Sequence, residues 1–193
     1  MALVDRYKTW PDGEIHKGSF QFIPELKAVR LIDGEITWPT GSSHKGKWAY
    51  FPELKRMTLV DGEVNLPNGY IVKGKQAYFP ELKKMLLVVG EITSPDKTIL
   101  KGNFQFIPEL KEIALVDGDV NLPNGQKEIG KREYIPELKR VYLVDGEIKF
   151  PSGQIHKGKQ AYIPELKEMR LVDGDKTWPD GTIHKGSFNL FLN

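Results

Sequence analysis

AVRLIDGEITWPTGSSHKGKWAYF, Ala28 to Phe51, followed by PELK, Pro52 to Lys55, is one full 28-residue period of the chain. Its halves, Ala28 to Trp38 and Ser43 to Phe51, are rich in β-branched and aromatic residues, which suit a pleated, half-buried surface. Between them stands Pro39-Thr40-Gly41, a place filled by Pro-Asn-Gly or Pro-Asp-Gly in four other copies. Such triplets predict a tight hairpin in which both turn residues tolerate positive φ. Pro-Glu-Leu-Lys, at residues 24–27 and in five further copies, puts Pro where φ is preset and no amide is needed, and predicts the reversal into the next unit.

The period holds throughout. All thirteen prolines fall in two series stepping by 28, one through Pro11 and one through Pro24, and the nineteen glycines fall in three, through Gly13, Gly18 and Gly34. Lys97 is the single interruption. A fixed period without insertions marks a quasi-one-dimensional array in which each unit buries its apolar side against its neighbours. The expected fold is therefore all-β: an elongated single-layer antiparallel meander of about 14 strands, advancing about 9.6 Å per hairpin. One repeat domain, residues 1–193, would hold seven units beginning near residues 3, 31, 59, 87, 115, 143 and 171.

Apolar parity slips within the strands. Ile15 is odd where Phe20 and Phe22 are even, and Val29 and Leu31 are odd where Ile36 and Trp38 are even. A side-chain period of two changes face only through an extra residue, so β-bulges are expected at Gly18 and Gly34 and their equivalents, curving or twisting the sheet. Glycine there would also let an aromatic ring lie over the backbone. Leu31, Leu59, Leu87, Leu115, Leu143 and Leu171, with Met57, Met85, Met169, Tyr50 and Tyr78, are the expected core.

Composition sets outer bounds. At 193 residues, 39% apolar and 28% charged, the chain is too apolar for disorder. Its net charge of +2 is spread evenly, with no basic arm or acidic tail. The absence of cysteine excludes disulfides and thiolate metal sites. With no signal-peptide pattern and no apolar run of about 18 residues, the sequence reads as soluble and, by default, cytoplasmic.

Gly34-Glu35-Ile36-Thr37-Trp38-Pro39-Thr40-Gly41, followed by His44-Lys45-Gly46-Lys47-Trp48, resembles the MORN repeat, and the match recurs from Gly146 to Gly153 and from Gly174 to Gly181. The unit departs from that family by its length, because Pro-Glu-Leu-Lys replaces a short Gly-rich connection, and by His, Val, Leu or Glu before Lys-Gly where the family often has Tyr. The resemblance implies an elongated meander that scaffolds, self-associates or contacts anionic membranes, and it implies no active site.

The chemistry-bearing residues support no catalytic residue, cofactor or metal. His16, His44, His156 and His184 share one unit position and would stand about 9.6 Å apart, too far to share zinc, and are expected to be exposed. Ser42 and Ser43 precede His44 without an assigned acidic third member. The paired carboxylates Asp33 and Glu35, Asp61 and Glu63, and their equivalents are spread along the array instead of converging as calcium requires, and Lys45 and Lys47 are their expected cross-hairpin partners. Lys17, Lys45, Lys73, Lys101, Lys157 and Lys185 form a candidate row for an anionic surface; a second row runs from Lys27 to Lys167 beside acidic residues that screen it.

The function expected from these features is that of a non-catalytic scaffold for protein–protein contact or self-assembly, a reading that equally suits an engineered or consensus-like repeat. The alternative is a MORN-like module on anionic lipid. Nucleic acid is a poor fit, since aromatics spaced so regularly are more simply the apolar side of the sheet. For self-assembly, the candidate edges are Leu3, Val4 and Trp10 in the first strand and Phe188, Leu190 and Leu192 in the last, which would pair head to tail. Arg6, Lys8, Asn189 and Asn193 are polar substitutions that would blunt those edges.

Overall fold

The computed structural model describes residues 4–188. The chain is all-β: fourteen antiparallel strands form an open sheet whose strand order is the chain order. They fall into two compact units, which divide between Pro95 and Asp96. That division lies in the hairpin turn where Lys97 replaces glycine. The first unit holds β1 (Val4–Thr9), β2 (Ile15–Ile23), β3 (Ala28–Thr37), β4 (Ser43–Phe51), β5 (Arg56–Asn65), β6 (Ile71–Phe79) and β7 (Lys84–Thr93). The second holds β8 (Ile99–Ile107), β9 (Glu112–Asn121), β10 (Lys127–Ile135), β11 (Arg140–Lys149), β12 (Ile155–Ile163), β13 (Glu168–Thr177) and β14 (Ile183–Ser187).

The Pro-Asp-Gly turns are tight, but they are built differently from the expectation. Gly13 N donates to Trp10 O at 2.9 Å, Trp10 N donates to Glu14 O at 2.8 Å, and of the turn residues only Gly13 has positive φ, at 88°. This is an ordinary turn followed by a left-handed glycine, the three-residue hairpin loop, and it needs one permissive residue where two were expected. The Asp12 side chain accepts from Glu14 N at 3.1 Å, which fixes the turn locally. At the other reversal Pro24–Leu26 makes a 3₁₀ turn that ends on Lys27 at φ 48°, with Lys27 N donating to Pro24 O at 3.0 Å. Lys55, Lys83, Lys111, Lys139 and Lys167 are left-handed too.

The two kinds of hairpin pair to different depths. β2 and β3, joined by Pro-Glu-Leu-Lys, pair from Ile15↔Thr37 to Ile23↔Ala28, whereas β3 and β4 pair only from Asp33↔Lys47 to Thr37↔Ser43. Each Pro-Glu-Leu-Lys hairpin therefore projects as a two-stranded finger beyond the part of the sheet that its neighbours share.

The bulges are real and lie off the glycines. Between Ser19↔Asp33 and Phe20↔Leu31 the register shifts by one, leaving Ile32 as the extra residue; the same shift recurs at Lys47/Trp48, Lys75/Gln76, Asn103/Phe104, Lys131/Arg132 and Lys159/Gln160. The bulge in β3 puts odd Leu31 and even Ile36 on one face, as their parity required. In β2 no bulge is needed, because His16, not Ile15, takes the inward place beside Phe20. The glycines instead align across each unit, Gly18 with Gly34, Gly34 with Gly46 and Gly46 with Gly62. A Cβ on Gly34 would overlap the Lys17 carbonyl oxygen.

Two rows of side chains on one face flank this glycine row and make the core. Phe20, Leu31, Trp48, Leu59 and Leu87 lie on one side of it, and Ile36 and Val64 on the other, with Leu31 only 2% exposed. Trp48 Nε1 donates to Gly34 O at 3.2 Å, so the indole does lie against bare backbone. Leu115, Leu143 and Leu171 are buried in the second unit, while the expected core residues Met57, Met85, Met169, Tyr50 and Tyr78 are only half-buried.

Candidate interaction surface

Residues next to each glycine along a strand point to the opposite, solvent side, and there the register sorts charge by strand. Strands that follow a Pro-Glu-Leu-Lys turn carry an acidic residue after the glycine and, except for Val89, an aspartate before it, and the strands between them carry lysine on at least one side of theirs. In the first unit one row reads Tyr7, Lys17, Glu35, Lys45, Glu63, Lys73, Glu91, each paired with the next. The parallel row beyond the glycines reads Ser19, Asp33, Lys47, Asp61, Lys75, Val89. In the second unit the rows read Lys101, Asp119, Ile129, Glu147, Lys157, Asp175, Lys185 and Asn103, Asp117, Lys131, Asp145, Lys159, Asp173, Ser187.

Every lysine of the candidate anionic-surface row is exposed, and Lys45, Lys73 and Lys157 each stand between two carboxylate strands, about 4.8 Å from either. Lys73 Nζ lies 3.0 Å from Glu63 Oε2 and Lys185 Nζ lies 3.7 Å from Asp175 Oδ2. Hydrogen bonds from Asn65 and Lys73 hold the Glu63 carboxyl below its usual range, and the bond to Glu63 raises Lys73. The expected pairing of Asp33 and Glu35 with Lys47 and Lys45 is the observed register. Three apolar residues interrupt the rows, Tyr7 (65% exposed), Val89 (48%) and Ile129 (45%). Beside Ile129 the bare backbone of Gly130, Gly146 and Gly158 floors a trough of about 470 Å³ between the two charge rows.

The histidines lie on the other face. His16 is buried, not exposed, with its Nε2 3.1 Å from Glu14 Oε2, and Glu14 also accepts Trp38 Nε1 at 2.6 Å. His44 meets the Trp38 ring edge-on at 4.5 Å and stacks on Trp48 at 6.2 Å. His156 and Phe150 repeat the edge-on contact at 4.8 Å. Burial pushes His44 and His156 below the ordinary imidazole value, helped at His156 by Lys176 and Arg170. These rings pack against the aromatic that precedes the hairpin turn, a contact the sequence signals only as a fixed spacing of six residues. Among the described residues no three His, Asp or Glu side chains come together as a metal site, and no helix is long and apolar enough to cross a membrane.

Of the candidate assembly edges, Leu3, Leu190 and Leu192 lie outside the described residues. Val4 lies in β1, paired to Phe20 of β2. Trp10 is half-buried against His16, with Lys8 Nζ 3.6 Å from its ring centroid. Phe188 N donates to Val172 O at 2.9 Å.

No family model matches the chain, and no curated protein does. Among solved structures, one from a structural analysis of the microcephaly protein CPAP G-box domain aligns over 93% of this chain and 90% of that one at 19% identity, with a TM-score of 0.20. A likeness that distant carries nothing across to this chain.

Proposed function

We propose that the chain is a non-catalytic repeat scaffold whose charged face is a surface for protein–protein contact, and that a second copy of the chain is a partner its pattern fits. The observation that carries this reading is the strict alternation of Lys17, Glu35, Lys45, Glu63, Lys73 and Glu91 across consecutive strands. A row that alternates with a period of two strands is complementary to itself. Displaced by one strand, a second copy sets each lysine against a carboxylate and each carboxylate against a lysine. Exposed Tyr7, Val89 and Ile129 supply apolar contacts within the same rows. The resemblance to the MORN repeat supports a scaffolding role.

The same alternation argues against a lipid surface. Opposite charges one strand apart lie inside the Debye length of about 8 Å, so a flat anionic partner meets little net field. Sedimentation velocity over a hundredfold concentration range tests the proposal. At about 20 mM salt the mean mass should rise with concentration, and at about 500 mM it should fall back to that of the monomer. Constant monomer mass at low salt, together with salt-sensitive pelleting on anionic vesicles, would favour the membrane reading instead.

A further inference from the structure

We infer that the covered face of the second unit holds a binding pocket for a small organic carboxylate, a site separate from the charged face. At the inward places flanking the glycines, held by Trp48 and Ile36 in one repeat, the second unit carries Arg132, Gln160 and Lys176, as the first carries Gln76 and Lys8. Polar side chains at core positions mark a departure from the repeat's own packing rule. Gln160 and Lys176 line a pocket of about 220 Å³, below the roughly 300–1,000 Å³ that takes a drug-sized ligand.

The polar groups of the pocket divide into satisfied and unsatisfied. Both oxygens of Glu128 have partners, Oε2 accepting from Arg132 at 2.9 Å and Oε1 from Gln126 at 2.8 Å, and Glu168 is paired through Oε1 with Arg170. Gln160 is only 8% exposed, and neither its Nε2 nor the buried Nε2 of His156 has a hydrogen-bond partner among the described residues. Lys176 stands directly across the strand pair from His156; it makes no ion pair among the described residues, and its ammonium rests 4.9 Å from the Phe188 ring centroid. The groups left open are thus an ammonium, an amide NH₂ and an imidazole nitrogen that donates in its Nε2–H tautomer. With each carboxylate of the pocket already held by an arginine, these open donors favour an anion. The remaining walls, Tyr142, Leu143, Ile148, Met169 and Leu171, are aromatic or aliphatic. They suit the apolar body of an organic acid, which an inorganic anion lacks.

The test uses the full chain with benzoate as probe and benzamide, its uncharged isostere, as control. Saturable shifts of the His156 ring resonances with benzoate, and none with benzamide at equal concentration, are expected. Lys176→Ile, which restores the residue found at Ile36 and Ile148, should weaken benzoate at least tenfold. Gln160→Glu keeps the shape and adds a repelling charge, and should abolish binding should the lysine variant fail to fold. The inference is overturned by the absence of a saturable benzoate shift, by equal shifts from benzamide, or by unchanged affinity in either folded variant.

Discussion

Gly18 and Gly34 face each other across the β2–β3 ladder so closely that a methyl group on either would overlap a carbonyl oxygen of the other strand. The contact repeats between Gly46 and Gly62 and between Gly74 and Gly90. It sets where large side chains can lean over bare backbone on one face, and where the charge rows are parted on the other. Gly46→Ala combines this overlap with a φ of 146° and should cost at least about 2–3 kcal/mol. Gly41, at φ 86°, has open space where its Cβ would be, so Gly41→Ala should cost only about 1 kcal/mol. Denaturant titration compares the two, and equal losses would remove close approach as the reason for the row.

Lysine is a strained choice at the end of each Pro-Glu-Leu-Lys turn. Lys111 sits at φ 55°, where an L-residue pays about 1–2 kcal/mol that glycine does not, against about 0.4–1 kcal/mol for the glycine's freedom when unfolded. Lys111→Gly should therefore stabilise the protein by about 0–1.6 kcal/mol. A shift of the urea midpoint to lower concentration would show that the lysine side chain makes a contact worth more than the strain.

His44 gives a pH dependence of defined sign. Burial between Trp38 and Trp48 lowers its pKa from the ordinary 6.5, so the unfolded chain binds the proton first as pH falls. The stability it contributes is whole above pH 6.5 and is lost as the pH drops from there toward the folded value. His156 adds to the same window. Between pH 7.5 and 5.5 the wild type should lose urea resistance, and His44→Val, the residue present at Val72, should lose less. Parallel losses in the two proteins would place the titrating group elsewhere.

Much of the fold was legible because the period and the β pattern agree: two punctuated strands per 28 residues gave fourteen strands, and the unvarying leucines gave the buried row. Three details were not. Ile32 is an aliphatic residue inside an aliphatic run, so nothing local marks it as the bulge. Lys27 carries a left-handed conformation that turn rules assign to glycine or asparagine. His16 is inward because the ladder to β3 places it opposite Ile36, a tertiary fact that its polarity conceals. The lysine row was visible as residues 28 apart, but the carboxylates between them appear only once the hairpin register is known. Arg132 and Gln160 stand in a series that varies between aromatic and polar residues, so the repeat alone did not mark their place as inward.

The central claim is that order, not amount, of charge makes the face adhesive. Exchanging one neighbouring pair, Glu63→Lys with Lys73→Glu, keeps net charge and the local ion pair but turns Lys45, Glu63, Lys73, Glu91 into two lysines followed by two glutamates. Sedimentation velocity at about 20 mM salt, where surface charges act over about 20–30 Å, compares this variant with the wild type. The account predicts that the wild-type mass climbs with concentration while the exchanged variant stays monomeric. Equal self-association of the two proteins would contradict it.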